Sequence, residues 1–91
     1  MDFFSNIPDP EERCLFALAA YNGGAGHVID ARNIARRFKL DPDRWTGNVE
    51  ESIQFLKFRS FYNSSKHGYC NADIIVNYVR SVQGLAERFR R

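Results

Sequence analysis

The stretch LAAYNGGAGHV, Leu18 to Val28, interrupts what otherwise reads as one continuous helix. Upstream, Asp9 stands as an N-cap with Pro10 at the first helical position, and Glu11 and Glu12 oppose the positive end of the dipole. Leu15, Phe16, Leu18 and Ala19 form the apolar side of this first helix, Ala17 and Ala20 allow close approach of a neighbour, and Asn22 and Gly23 end it. Downstream, a second helix begins near Gly26 and runs to about Lys39. Val28, Ala31, Ile34, Ala35 and Phe38 share one face, and Arg32, Arg36 and Arg37 fall elsewhere.

Working outward, LDPDRW offers Asp41 as a cap with Pro42 behind it, a short turn that seats Trp45. NVEESIQFLKF reads as a third helix capped by Asn48 or Thr46, and YNSSKHGY as a loop. A last helix starts at Asn71 and reaches towards the C-terminus, with Ile75, Tyr78, Val79, Val82, Ala86 and Phe89 as its stripe. Gly84 weakens that end by roughly 1 kcal/mol relative to alanine. No segment reads as a strand. The expectation is an all-α fold of about four helices, residues 1–91 forming one small helical domain.

Composition narrows the field. The 91 residues are 44% hydrophobic and include eight phenylalanines, enough for a core. No apolar run is long enough to span a bilayer and nothing resembles an export signal. The opening MDFFSNIPDPEER reads as a loop, and Met1 as a gene-call start inside a longer parent. A net charge of +2 does not argue for nucleic acid. Cys14 and Cys70 have no metal-ligand spacing around them, so no metal and no cofactor are expected. They read as two buried thiols, with a disulfide the alternative in an exported parent.

AYNGGAG has a plain explanation as a helix end, with Asn22 or Gly23 left-handed and Gly24 and Gly26 in a tight turn. That leaves glycine to spare. A glycine-dense turn feeding a new helix lets a ligand approach backbone and free N–H groups. Tyr21 and Asn22 add a flat apolar face and a two-way hydrogen bonder at its lip. A sugar bearing an N-acetyl group suits them, although composition does not choose the ligand.

Ala20-Tyr21-Asn22-Gly23-Gly24-Ala25-Gly26-His27-Val28 resembles the A-Y-N-x-G-x-G-x-V motif of the lytic murein transglycosylases. HVIDARNIARRFKLDPDRW is similar to the segment that follows it in their membrane-bound F-type branch, and FYNSSKHGY and VNYVRSV resemble that branch's closing loop and last helix. The resemblance covers nearly the whole chain, in order. It implies the C-terminal part of a goose-type-lysozyme-like domain of glycoside hydrolase family twenty-three (the SLT domain), a partial domain.

The resemblance also implies a chemistry. One glutamate, in a Glu-Ser motif on an earlier helix, protonates the glycosidic oxygen and then takes a proton from the muramyl C6 hydroxyl, giving a 1,6-anhydro product. Only 19 residues precede Ala20 here and none spells Glu-Ser; Glu51-Ser52 lies downstream. Glu11 and Glu12 read as dipole partners, Glu50 and Glu51 as solvated, Asp30 and Asp41 as helix-facing or capping groups. No catalytic residue is therefore assigned, and no pair is placed to flank a cleft.

Carried over position by position, Tyr21 and Asn22 imply saccharide contact and Gly24 and Gly26 backbone geometry. Tyr78 matches the closing-helix tyrosine and Tyr69 a loop tyrosine. Each also reads as a packing residue, and His27 reads as a surface histidine. Where the family has Y-x-R-G-x-E, this chain has Asn71, Ala72 and Ile74 in place of arginine, glycine and glutamate.

Three readings follow. The first is a peptidoglycan lytic transglycosylase fragment, inactive alone, binding glycan strands, from a parent of the periplasm or cell envelope and associated with the membrane. The second is a non-catalytic binding or interaction module for peptidoglycan, chitooligosaccharide or protein. The third, a nucleic-acid binder using Arg32, Arg36, Arg37, Lys39 and the terminal RFRR, yields to a solvated basic face. An apolar face left uncovered is expected to drive homo-oligomerisation.

Overall fold

The computed structural model describes residues 4–90, the side chain of Arg90 excepted, so the reading of Met1 to Phe3 as loop and the part of Arg90 and Arg91 in the basic face lie outside the described residues. Among the described residues five α-helices follow one another: α1 Pro10–Gly23, α2 Ala25–Arg37, α3 Glu50–Ser52, α4 Arg59–Tyr62 and α5 Ala72–Arg90. No strand occurs among the described residues.

The start of α1 forms as its sequence requires. Asp9 Oδ1 accepts from the N–H of Glu11 at 2.9 Å and of Glu12 at 3.5 Å, with Pro10 where an N–H would be unpaired anyway. The segment before it is irregular but packed rather than loose. Phe4 and Ile7 are buried, and the Arg13 guanidinium donates to the Ile7 carbonyl at 3.1 and 2.9 Å.

The core gathers Phe16, Ala19, Val28, Ala31, Ile34, Trp45, Val49, Ile53, Leu56, Ile75 and Val79 from every long element. Trp45 is fully buried and meets Phe16 edge-on at 5.9 Å between ring centres. Arg32 departs from the expectation that it lies off the buried face. It is 7% exposed, stands over the Phe16 ring at 5.5 Å, and donates to Pro42 O at 2.8 Å and Asp43 Oδ1 at 2.7 Å. The buried guanidinium thus has both charge and hydrogen bonds answered.

α2 stops at Arg37 rather than Lys39, and the reason is a left-handed residue. Lys39 has φ 60°, and the Leu40 N–H returns to Ala35 O at 2.9 Å, closing a Schellman motif around a lysine.

The expected third helix is instead broken up. Trp45–Val49 is a wide turn with Thr46 extended and Gly47 at φ 70°; α3 lasts three residues and passes into a 3₁₀ turn, Ile53–Lys57, and Phe58 is extended before α4. Neither Asn48 nor Thr46 caps it: Asn48 Oδ1 accepts from the Asp41 N–H, and the Thr46 hydroxyl donates to Glu12. Phe55 and Phe61 account for the break. Six residues apart on one α-helix they would point about 120° apart. In the broken chain they stack, 4.9 Å apart, beside Phe38 at 5.3 Å.

α1 and α5 run antiparallel. Ile75 rests against Gly23 at one end, and a groove of about 310 Å³ opens between Glu11, Cys14 and Leu18 on α1 and Val82, Ala86 and Glu87 on α5 at the other. The stripe predicted for α5 leaves the core part-way: Ile75 and Val79 are buried, Val82 is half-buried, Ala86 is exposed and Phe89 is 86% exposed.

Candidate functional site

The glycine-rich turn is a junction one residue long. α1 continues through Asn22 and Gly23, which are helical, and not left-handed as the sequence suggested. Gly24 alone makes the break, with φ 95° and ψ 140°, and its N–H closes α1 onto Ala20 O at 2.8 Å. α2 begins at the next residue, and no side chain caps its first turn.

Gly23 and Gly26 have a steric role. A Cβ built on Gly23 would collide with Ile75, and one on Gly26 would lie 2.5 Å from Cδ2 of His67. These two contacts draw α5 and residues 63–71 onto the junction. The end of α1, the start of α2, the loop bearing Tyr69 and the first turns of α5 therefore meet at one end of the molecule.

The candidate side chains are distributed over that end unequally. Tyr21 is 84% exposed; it lies two residues past buried Ala19, on the far side of α1 from the core. Asn22 and Gly24 are exposed, and Gly26 is partly covered by His67. Tyr69 is exposed and its ring meets Tyr62 edge-on at 5.6 Å. Tyr78, one turn beyond Ile75, is half-buried against the edge of the core. Of the three departures from the motif, Ala72 is buried while Asn71 and Ile74 are exposed, Ile74 at 57%. His27 is half-buried instead of lying on the surface, and its Nδ1 is buried with no hydrogen-bond partner among the described residues.

Most carboxylates are engaged in holding the fold. Glu12, beyond its place in the first turn of α1, is buried and accepts from the N–H groups of Trp45 (2.8 Å) and Thr46 (2.9 Å) and the Thr46 hydroxyl (3.0 Å). Asp30 is buried and accepts the His67 N–H at 2.8 Å. Asp43 pairs with Arg32, and Asp73 with Lys57. Glu50, read as solvated, is only half-exposed and pairs with Arg80. Asp41 accepts the Asp43 N–H within its own turn. In Glu51-Ser52 the glutamate is exposed, and the serine hydroxyl is buried, donating to Ala31 O at 2.7 Å.

The cysteines divide. Cys70 is buried as expected, whereas Cys14 is exposed on α1, and both are free. Burial, and after it the charge of Asp30, pushes the Cys70 thiol up to about 11. No group of three His, Cys, Asp or Glu side chains suited to a metal ion occurs among the described residues.

Sequence reasoning missed Glu12 as a turn clamp, Arg32 as an internal cation and the Asp30–His67 contact. Each joins positions ten or more residues apart, beyond the reach of helical periodicity. The one available signal was chemical: a charged residue on an apolar face, as at Glu12 and Arg32, has to find a partner inside the fold.

No protein-family model matches the chain. Among curated proteins it is 40% identical over 79 residues, 87% of its length, to a protein of Desulfosudis oleivorans named membrane-bound lytic murein transglycosylase F. Proteins of the same name from Vibrio vulnificus and Shewanella denitrificans are 39% identical over 78 residues and 38% identical over 85. The chain spans about a sixth of these relatives: 17%, 14% and 17% of their respective lengths.

Proposed function

From its homology to one segment of the membrane-bound lytic murein transglycosylases F, we propose that this chain is a helical portion of a transglycosylase domain and supplies part of a murein-binding cleft. The observation that carries this reading is the convergence on one end of Tyr21 and Asn22, the glycine junction, and the loop bearing Tyr69. Tyr21 offers an uncovered ring face on which a pyranose can stack. Asn22 offers an amide able both to donate to and accept from an N-acetyl group. Gly24 lets the backbone pass between the two helices without a side chain in the way. Tyr78, half-buried against the core on the first turns of α5, is a wall residue in this reading.

Residues 1–91 bind but do not cleave. Strand cleavage to a 1,6-anhydro product needs a carboxyl group that gives up and regains a proton in a sheltered site. The engagement of Glu12, Asp30, Asp43, Glu50 and Asp73 in structural contacts supports that reading, as does the exposed, unsheltered setting of Glu51. Ile74, apolar and exposed where the motif has glutamate, removes a further acceptor from this edge. The relatives' name, membrane-bound lytic murein transglycosylase F, supports a place at the cell envelope; no helix among the described residues is long and apolar enough to cross a membrane.

Clearing of purified murein, with mass spectrometry for anhydromuramyl ends, tests the inactive half of this reading. No product is expected from the 91 residues alone, and robust product would overturn it. If saccharide leaves the Tyr21–Asn22 end unperturbed while a protein partner perturbs it, the interaction-module reading replaces the cleft.

A further inference from the structure

Residues 63–71 carry His67 to the glycine junction, two residues before Tyr69, without forming a helix, so something other than helical hydrogen bonding must hold them there. At their far end the Cys70 N–H bonds to Leu56 O at 3.2 Å and Tyr69 meets Tyr62. At the junction His67 makes the attachment. Its N–H donates to Asp30 Oδ2 at 2.8 Å, its Nδ1 lies 3.3 Å from the same oxygen, and its ring covers the face of Gly26.

Asp30 is 4% exposed, so this carboxylate has given up its water to face the loop. A carboxylate oxygen only accepts. A lone pair on Nδ1 turned towards it would be repelled and a proton there attracted, so the oxygen selects which ring nitrogen is protonated. Cys70 feels the same charge, and its thiol stays neutral at neutral pH.

We infer that Asp30 and His67 are a positioning pair: Asp30 docks residues 63–71 on the glycine junction, holds His67 in its Nδ1–H form, and so sets how the Tyr69 loop stands at the end of the molecule that carries the junction. The docking and the tautomer stand independently of the ligand. The consequence for saccharide rests on the murein-cleft reading.

The test uses the full chain carrying Cys14→Ser, which leaves Cys70 as the reporter thiol, together with Asp30→Asn, His67→Ala and His67→Asn. In His67→Asn the amide nitrogen takes the place of Nδ1. Imidazole ¹⁵N shifts should show the Nδ1–H form in the parent and Nε2–H in Asp30→Asn. Labelling of Cys70 by a thiol reagent should rise about tenfold in His67→Ala and in Asp30→Asn, and stay within about twofold in His67→Asn. Triacetylchitotriose should bind about tenfold more weakly to His67→Ala, with rescue by His67→Asn.

A parent with Nε2–H, or equal Cys70 labelling in His67→Ala and His67→Asn, would overturn the pair. If Asp30→Asn does not fold, the two His67 variants decide between docking and its absence on labelling alone. Should tautomer and labelling come out as expected while the parent binds no saccharide, the docking role holds and the cleft reading fails.

Discussion

The Glu12 carboxylate reaches from the first turn of α1 to the main chain of Trp45, accepting its N–H at 2.8 Å and the Thr46 N–H at 2.9 Å. It therefore does for the 45–49 turn what Asp9 does for α1, from 33 positions away in sequence. Removing it leaves buried donors unsatisfied. Glu12→Ala is expected to cost about 2–4 kcal/mol, read as a lower urea midpoint at unchanged slope. Glu51→Ala, at an exposed site, should stay within about 0.5 kcal/mol. Equal effects of the two would remove Glu12 from its role as a clamp.

Lys39 occupies a left-handed conformation that costs a lysine more than a glycine. Lys39→Gly should raise stability by about 0.5–1 kcal/mol, because the Schellman bond from Leu40 to Ala35 is kept and the strain removed. Gly24→Ala should do the reverse at φ 95°, costing about 1–2 kcal/mol in the same denaturation assay.

The Cys70 thiol gives stability an alkaline limit. Its folded value, about 11, lies above the ordinary 9.0, so between these values the unfolded chain loses the proton first and stability falls as pH rises. The full two-unit difference corresponds to about 2–3 kcal/mol, lost progressively over pH 9 to 11. Wild type and Cys70→Ala compared across that window should converge as the pH climbs. At neutral pH the exposed Cys14 should label first and Cys70 only as the protein opens.

Ile74, Leu85 and Phe89 leave an apolar strip on α5 largely uncovered. Self-association is therefore expected, with sedimentation shifting from monomer to dimer or higher as concentration rises. Leu85→Lys together with Phe89→Lys should restore the monomer. A clean monomer at millimolar concentration would refute the expectation.

Local features of this fold were legible and distant ones were not. Asp9, Pro10 and the buried Trp45 follow from capping and turn chemistry within a few residues, and the helix break in YNGGAG from its glycines. Which glycine makes the break was not readable, because Gly23 and Gly26 are fixed by Ile75 and His67, both about 40 or more residues away. The segment from Asn48 to Phe58 has helical periodicity, yet aromatic stacking of Phe55 on Phe61 overrides it. At the candidate site, motif resemblance picked out Tyr21, Asn22, Gly24, Gly26, Tyr69 and Tyr78. The same reading passed over Asp30 and His67, whose roles exist only once the loop is folded onto α2.

Chemical-shift mapping with triacetylchitotriose tests the murein-cleft proposal most directly. Backbone amides of Tyr21, Asn22, Gly24, Gly26 and Tyr69 are expected to shift together and saturate at millimolar sugar, and Tyr21→Ala should weaken the response about tenfold. An unperturbed spectrum at that concentration, or shifts confined to the α1–α5 groove around Cys14 and Val82, would contradict it.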